Sequence, residues 1–224
     1  MDYPDGKFSM FIHSLLTDKN GCDLSNCDTA IELGAGMGRF SYSLVEKFDK
    51  VYLVEPATDY ADKLKSTFKQ DSVTVFNGTA KDFIKQNTGI KDKIIFTFHL
   101  LHHLNQQERR DIFEFVKMTG SKAVFIEPNP HNPLIMLQII FHPDMKVKEE
   151  LAYLSLTKEQ LTEELASCGL SRTRYFKLCF LPPFLTDLML RSFLKRTLSG
   201  LEKLNGIAPF LGSYQAVYCE SDGR

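Results

Sequence analysis

Short apolar runs, set apart by polar stretches with helical spacing, organise this chain. Ala30-Ile31, closing on Glu32-Leu33, is followed by Val51-Tyr52-Leu53-Val54, Val73-Thr74-Val75-Phe76, Ile94-Ile95-Phe96-Thr97-Phe98 and Ala123-Val124-Phe125-Ile126. Each is short and rich in β-branched or aromatic residues, as buried strands are. Between them, Phe40, Leu44, Val45 and Phe48 mark one face of a helix, another helical segment begins at Tyr60, and Gln106 to Met118 has the spacing of a surface helix. Phe8, Phe11, Ile12, Leu15 and Leu16 predict an N-terminal helix over about residues 7–20, near the mouth of the site. Thr157 is placed to cap a helix, with Gln160 in the capping-box position and Gly169 at its end. Arg172–Phe180 and Ser213–Glu220 are the last two strand candidates, separated by a helical insertion at about 184–204. Strands alternating with helices predict an α/β fold, a parallel sheet covered on both faces. No internal repeat or low-complexity linker divides the chain, so residues 1–224 read as a single domain.

The candidate chemistry starts where the first strand ends. Thr29-Ala30-Ile31-Glu32-Leu33-Gly34-Ala35-Gly36-Met37-Gly38-Arg39-Phe40 joins a strand to a glycine turn. Glycine accepts positive φ and lets a ligand approach the backbone closely. The dinucleotide fingerprint Gly-x-Gly-x-x-Gly would need its third glycine at Arg39. Glu32 would also repel a pyrophosphate, so the turn suits a cationic ligand better. A second apolar run ends at Glu55-Pro56, and Glu55 lies 21 residues beyond Gly34. That is close to the ~20-residue offset at which an acidic residue at the end of strand two reaches ribose hydroxyls. A solvated loop carboxylate is the plainer reading of Glu55 alone; its spacing from the glycine turn favours ribose.

This Glu-x-Gly-x-Gly-x-Gly stretch resembles the first motif of class I S-adenosylmethionine-dependent methyltransferases, whose ligand carries a sulfonium and an ammonium. The resemblance covers about residues 28–130 by motif. It implies a three-layer Rossmann-like sandwich with a seven-stranded, mostly parallel sheet whose last strand is antiparallel. It also implies S-adenosyl-L-methionine as cofactor, held by Glu32, Gly34, Ala35, Gly36, Glu55, Pro56, Thr79, Ala80, Phe98 and His99. One position departs from the family. After strand three the family commonly writes Gly-Asp-Ala, and the aspartate that would accept from the adenine amino group is here Thr79, in Asn77-Gly78-Thr79-Ala80. Backbone groups at Thr79 and Ala80 can still meet the adenine edge; a plain strand-to-helix turn is the alternative.

The acceptor side is expected after strands four and five. Phe98-His99-Leu100-Leu101-His102-His103-Leu104 is similar to the family's segment after strand four, which faces the transferred methyl group. A neutral imidazole, with an ordinary pKa of ~6.5, can take the proton that leaves when a hydroxyl is methylated. His102 and His103 are therefore the catalytic candidates, against a role in orienting the loop. No metal is expected, because adjacent histidines cannot easily share one tetrahedral ion and no third ligand is indicated. Glu127-Pro128-Asn129-Pro130-His131-Asn132-Pro133 is similar to the Glu-Pro-Asn-x-x-Asn-Pro of methyltransferases associated with sugar and cell-envelope metabolism. Asn129, His131 and Asn132 are candidate substrate contacts there, with a rigid turn as the alternative.

Composition narrows the partners. The 224 residues are 43% hydrophobic and 25% charged, a globular balance, and the net charge of -1 gives no reason to expect nucleic acid. Five scattered cysteines, without a Cys-x-x-Cys pair, read as reduced thiols in a cytoplasmic protein. The N-terminus lacks the pattern of a signal peptide, and no apolar stretch reaches the ~18 residues of a transmembrane helix. Residues 134–141 and 184–204 are greasy enough to be core helices or a lid over a hydrophobic or lipid-linked substrate. The sequence thus points to a methyltransferase acting on a small molecule, with a sugar, cell-envelope or lipid-linked hydroxyl as the acceptor class. A binding protein of the same fold without turnover and a nicotinamide-dependent oxidoreductase are its rivals. The oligomeric state is left open.

Overall fold

The computed structural model describes residues 6–90, 93–136, 151–192, 194–206 and 212–221. A helix, α1 (Lys7–Ser14), runs into a π-helical turn over Leu15–Lys19. There follow β1 (Thr29–Leu33), α2 (Ser41–Lys47), β2 (Lys50–Glu55), α3 (Thr58–Thr67), β3 (Val73–Asn77), α4 (Ala80–Gln86), β4 (Lys93–Phe98), α5 (Gln106–Met118) and β5 (Lys122–Pro128). Beyond them come α6 (Lys158–Ser167), β6 (Arg172–Leu178), α7 (Pro183–Leu190), α8 (Lys195–Leu201) and β7 (Tyr214–Glu220).

The strands form one seven-stranded sheet in the order β3-β2-β1-β4-β5-β7-β6. β1 pairs parallel with β2 and β4, β2 with β3, and β4 with β5, while β7 enters antiparallel between β5 and β6. This is the expected sheet, last strand included. β1 and β4 are buried along their whole length, as parallel strands covered on both faces must be.

Side chains alternate between two cores, following the two-residue period of a strand. Ala30, Ile94, Phe96, Val124, Ile126 and Ala216 point to one face, where Phe8 and Ile12 of α1, Leu44 of α2, Leu190 of α7 and Leu198 of α8 meet them. Ile31, Ile95, Ala123, Phe125 and Val217 point to the other, against Phe83 of α4, Phe113 and Val116 of α5, and Leu161 and Leu165 of α6. A buried, two-bonded ion pair ties α5 to α6: Arg109 Nε and Nη2 donate to the two oxygens of Glu164 at 2.7 and 2.6 Å.

Local signals hold with one correction. Thr157 caps α6 through Gln160 N at 3.3 Å, but the Gln160 side chain donates to Glu164 at 3.0 Å and does not complete the capping box. The Gln160 amide is drawn sideways by the carboxylate that Arg109 already holds. Complete capping boxes stand elsewhere, at Thr79/Asp82 and Asn105/Glu108. Gly169, at φ +79°, ends α6 as expected. The edge strand β6 stops at Leu178, two residues before the expected Phe180, because Cys179 takes φ +56° and turns the chain away.

Candidate active site

The carboxyl ends of β1, β2, β3 and β4 converge on the glycine turn. Gly34 and Ala35 both donate backbone N–H bonds to the Val54 carbonyl, at 2.9 and 3.0 Å, which folds the turn back over the end of β2. Gly34, Gly36 and Gly38 all have positive φ. Their surroundings differ. A Cβ on Gly34 would meet Leu100 at 2.9 Å and one on Gly38 would meet Phe68 at 2.7 Å, whereas one on Gly36 would meet nothing within 4 Å. Two glycines serve packing; Gly36 faces open space.

Glu55 closes the turn from the end of β2. Its Oε2 accepts from Gly36 N at 2.8 Å and its Oε1 from Ala57 N at 2.9 Å, so both oxygens are aimed by the backbone beside Gly36. Glu32, on the same side of the sheet by strand parity, is 1% exposed and accepts from Ser41 Oγ at 2.5 Å, at the start of α2. Burial pushes the Glu32 carboxyl up to about 8; the Ser41 bond opposes this and the nearby Glu55 charge adds to it. Between about 4.5 and about 8 the folded chain therefore holds a proton that the unfolded chain has released. Stability should fall as pH rises through that window, by up to ~1.4 kcal/mol per pH unit, and level off above it. Glu32→Gln should flatten this fall, which denaturant unfolding at pH 5 and pH 8 would show; equal slopes in both proteins would contradict it.

Beside the turn lies a cavity of about 260 Å³. Gly34, Pro56, Thr79, Ala80 and Leu100 contribute the strand-end side of its wall, and Ile84, Leu104, Asp111 and Ile112 the helix side. Sequence-expected residues from three separate loops thus share one space. The Thr79 hydroxyl is committed to its own helix: Oγ1 donates to Asp82 Oδ2 at 2.6 Å and accepts from Asp82 N at 3.2 Å.

The segment after β4 is fixed from across the sheet. Glu127, at the end of β5 and fully buried, accepts from Leu100 N at 3.1 Å and Leu101 N at 2.8 Å through Oε1. Its Oε2 lies 2.5 Å from His102 Nδ1, and both side chains are almost wholly out of solvent. A carboxylate at Nδ1 favours the tautomer with its proton there, leaving Nε2 as the basic nitrogen. That Nε2 is buried with no hydrogen-bond partner among the described residues. His103 is exposed, its ring 3.9 Å from that of His102.

His99 has φ +55°, rare for a residue with a side chain, and is held there by its N–H bond to the Ile126 carbonyl at 2.8 Å. Its ring lies 4.9 Å from Tyr214 and 5.8 Å from Phe40. Burial pushes its pKa well below the ordinary value, with His102, Arg39 and His103 adding to the effect, so the ring is neutral near pH 7. Phe98 stacks on Phe40 at 4.2 Å and belongs to the core that backs the site.

The expected substrate contacts separate in the structure. Asn129 is fully buried; its Nδ2 donates to the Gly212 carbonyl at 2.6 Å and its Oδ1 accepts from His131 N and Lys177 Nζ. Asn132 accepts from Leu134 N and Ile135 N, while His131 is exposed. Ser41, Glu127 and Tyr214 are site residues that sequence reading did not single out. Glu127 was visible as a strand-end carboxylate like Glu32 and Glu55, but its partner is 25 residues away.

Among the described residues no three His, Cys, Asp or Glu side chains are arranged to hold a metal ion, and no helix is long and apolar enough to cross a membrane. No protein-family model and no curated protein matches the chain. Solved structures do. A SAM-dependent methyltransferase from Archaeoglobus fulgidus superposes with a TM-score of 0.65 at 16% identity, covering 98% of this chain and 100% of that one. The plantazolicin methyltransferase BamL, in complex with a triazolic desmethylPZN analog and SAH, gives 0.61 at 14% identity, over 99% and 87% of the two chains. The mycolic acid cyclopropane synthase CmaA1, complexed with SAH and CTAB, gives 0.55 at 13% identity, over 96% and 82%. With the strand order and the antiparallel β7, these likenesses establish that the chain has the fold of class I S-adenosylmethionine-dependent methyltransferases.

Proposed function

We propose that this chain is an S-adenosylmethionine-dependent methyltransferase whose acceptor is a hydroxyl of a small molecule. The observation that carries the reading is the grouping of a buried carboxylate, Glu32, with the Glu55-braced turn at Gly36, opening beside a cavity lined by Pro56, Thr79 and Ala80. The residues fit the cofactor. A buried carboxylate that stays largely protonated alone is stabilised as an anion by a neighbouring cation, which suits an ammonium or sulfonium group. Glu55, with both oxygens already aimed by backbone donors, has lone pairs left for ribose hydroxyls. Pro56, Leu100 and Ile112 offer apolar surface to a flat base. When bound, S-adenosylmethionine supplies an electrophilic methyl group; the protein contributes proximity, orientation and a place for the acceptor's proton.

For that proton the reading assigns His102, with Glu127 holding its ring and tautomer. His102 follows β4 and Glu127 ends β5, at the carboxyl edge where ligands of open α/β sheets bind. His131 keeps a candidate role at the substrate entrance, and Asn129 and Asn132 set the shape of its loop. A hydrophobic or lipid-linked acceptor is supported by Leu188 and Leu194, which stay 63% and 40% exposed in the 184–204 insertion while Leu190 and Leu198 anchor it in the core. One structural neighbour is named as a mycolic acid cyclopropane synthase, a name that associates this fold with a lipid. Of the other greasy segment, Leu134 and Met136 are exposed and residues 137–141 lie outside the described residues. A reducing compartment such as the cytoplasm is supported by five cysteines that form no disulfide.

Calorimetry with S-adenosylhomocysteine tests the cofactor assignment. Glu55→Ala removes charge-assisted hydrogen bonds of roughly 1.5–3 kcal/mol, so affinity should fall tenfold or more. Unchanged affinity would sink the ribose role of Glu55, and the wild type should show no binding of a nicotinamide dinucleotide.

A further inference from the structure

The cavity beside the glycine turn has Thr79 and Ala80 on its strand-end wall and an aspartate on the wall opposite. The Thr79 hydroxyl, after β3, is held within the α4 capping box by Asp82. Thr79 O–H donates to Asp82 and accepts from Asp82 N, which leaves little capacity for an amino group. Elsewhere in the same wall two carboxylates come from α5, Glu108 and Asp111. Glu108 is exposed; its Oε2 accepts from Asn105 N at 2.9 Å, closing the capping box that starts α5, while its Oε1 accepts no hydrogen bond among the described residues and faces water. Asp111 sits one turn into the helix, half-buried beside Ile112. Its Oδ1 accepts from Gln107 Nε2 at 2.9 Å, and its Oδ2 accepts no hydrogen bond among the described residues.

We propose that Asp111 is the adenine-specificity residue of this site, accepting the exocyclic amino group from the α5 wall in place of an aspartate after β3. The inference rests on the cofactor reading above and deepens it. The other walls are suited to the ring and not to the amine. Pro56, Ile84, Leu100, Leu104 and Ile112 are apolar, and offer a flat ring contact without an acceptor. An amine needs an acceptor, and of the two carboxylates with a spare oxygen Asp111 is the one partly withdrawn from solvent, where a charge-assisted bond is stronger. The same carboxylate would repel a 6-oxo purine, whose oxygen occupies the amine's place; discrimination of this kind comes as much from the clash as from the bond.

The experiment compares two probes by calorimetry, S-adenosylhomocysteine and S-inosylhomocysteine, which differ at that one group. The wild type should favour the adenosyl compound by at least tenfold. Asp111→Asn, a change at a half-buried position that conserves shape, should bring the two affinities to within about threefold of each other, because the amide can donate to the oxo group as well as accept from the amine. Glu55→Ala should weaken both probes alike and leave their ratio unchanged. Glu108→Gln should also leave the ratio unchanged. A ratio untouched by Asp111→Asn, or moved by Glu108→Gln in its stead, overturns the role of Asp111 while leaving the cofactor reading intact. Failure of the wild type to bind either probe overturns the cofactor reading itself, and the inference with it.

Discussion

Gly36→Val should abolish cofactor binding, at least a hundredfold loss, while the protein remains folded. The new side chain would project into the space that Gly36 leaves open next to the Glu55 carboxylate, where a Cβ meets nothing within 4 Å. Backbone strain is the main cost to the fold, because φ is +55° there; holding a residue other than glycine in that region costs of order 1–3 kcal/mol. Gly38→Val is the informative contrast. Its Cβ would strike Phe68 at 2.7 Å and Leu64 at 2.9 Å, both in the core, so that variant should lose folding stability first. Thermal melts and calorimetry on the two variants separate these outcomes. A collapsed circular-dichroism spectrum for Gly36→Val would make that glycine structural and remove the ligand argument. Tight binding in a folded Gly36→Val would place the cofactor elsewhere.

Loss of the His102 imidazole should slow methyl transfer by ~10²–10⁴-fold with little change in cofactor affinity, the range that a positioned general base contributes. His103→Ala should have a much smaller effect, because His103 is exposed and the carboxylate of Glu127 lies against His102. Glu127→Gln should fall between wild type and His102→Ala, since the amide can still accept from the Leu100 and Leu101 N–H groups but no longer supports an imidazolium. Transfer from labelled S-adenosylmethionine to an accepted hydroxyl compound, with calorimetry on the same preparations, measures both quantities. If neither His102→Ala nor His103→Ala slows transfer, proximity alone carries the reaction. If His102→Ala weakens cofactor binding as much as it slows turnover, the histidine belongs to the cofactor's site and not to the acceptor's.

The sequence by itself determined the layered α/β fold and the glycine turn at the end of β1. β1 and β4 were legible because a parallel strand covered on both faces reads as a largely apolar run, broken only by Glu32 in one and Thr97 in the other, and the glycine turn because positive φ at Gly34, Gly36 and Gly38 is a local demand on residue type. The spacing to Glu55 was legible for a related reason: one strand-helix-strand unit has a nearly fixed length. α4 was less visible, as Ala80–Gln86 buries only Phe83, though its Thr79/Asp82 capping box was written in the sequence. What only the tertiary structure decided is which polar groups meet. The antiparallel entry of β7 brings Tyr214 beside His99, and Glu127 reaches His102 across neighbouring strands. Nothing periodic in the chain encodes such pairings. The same holds for Glu32, whose basicity comes from burial, against the opposing bond from Ser41, rather than from its place in a motif. Asn129 and Asn132, which the sequence offers as substrate contacts, bond to the backbone in the folded chain because a buried, proline-stiffened loop leaves carbonyls and amides that need partners. Local conformation follows from residue type and spacing; the electrostatics of a site follow from what the fold packs against it.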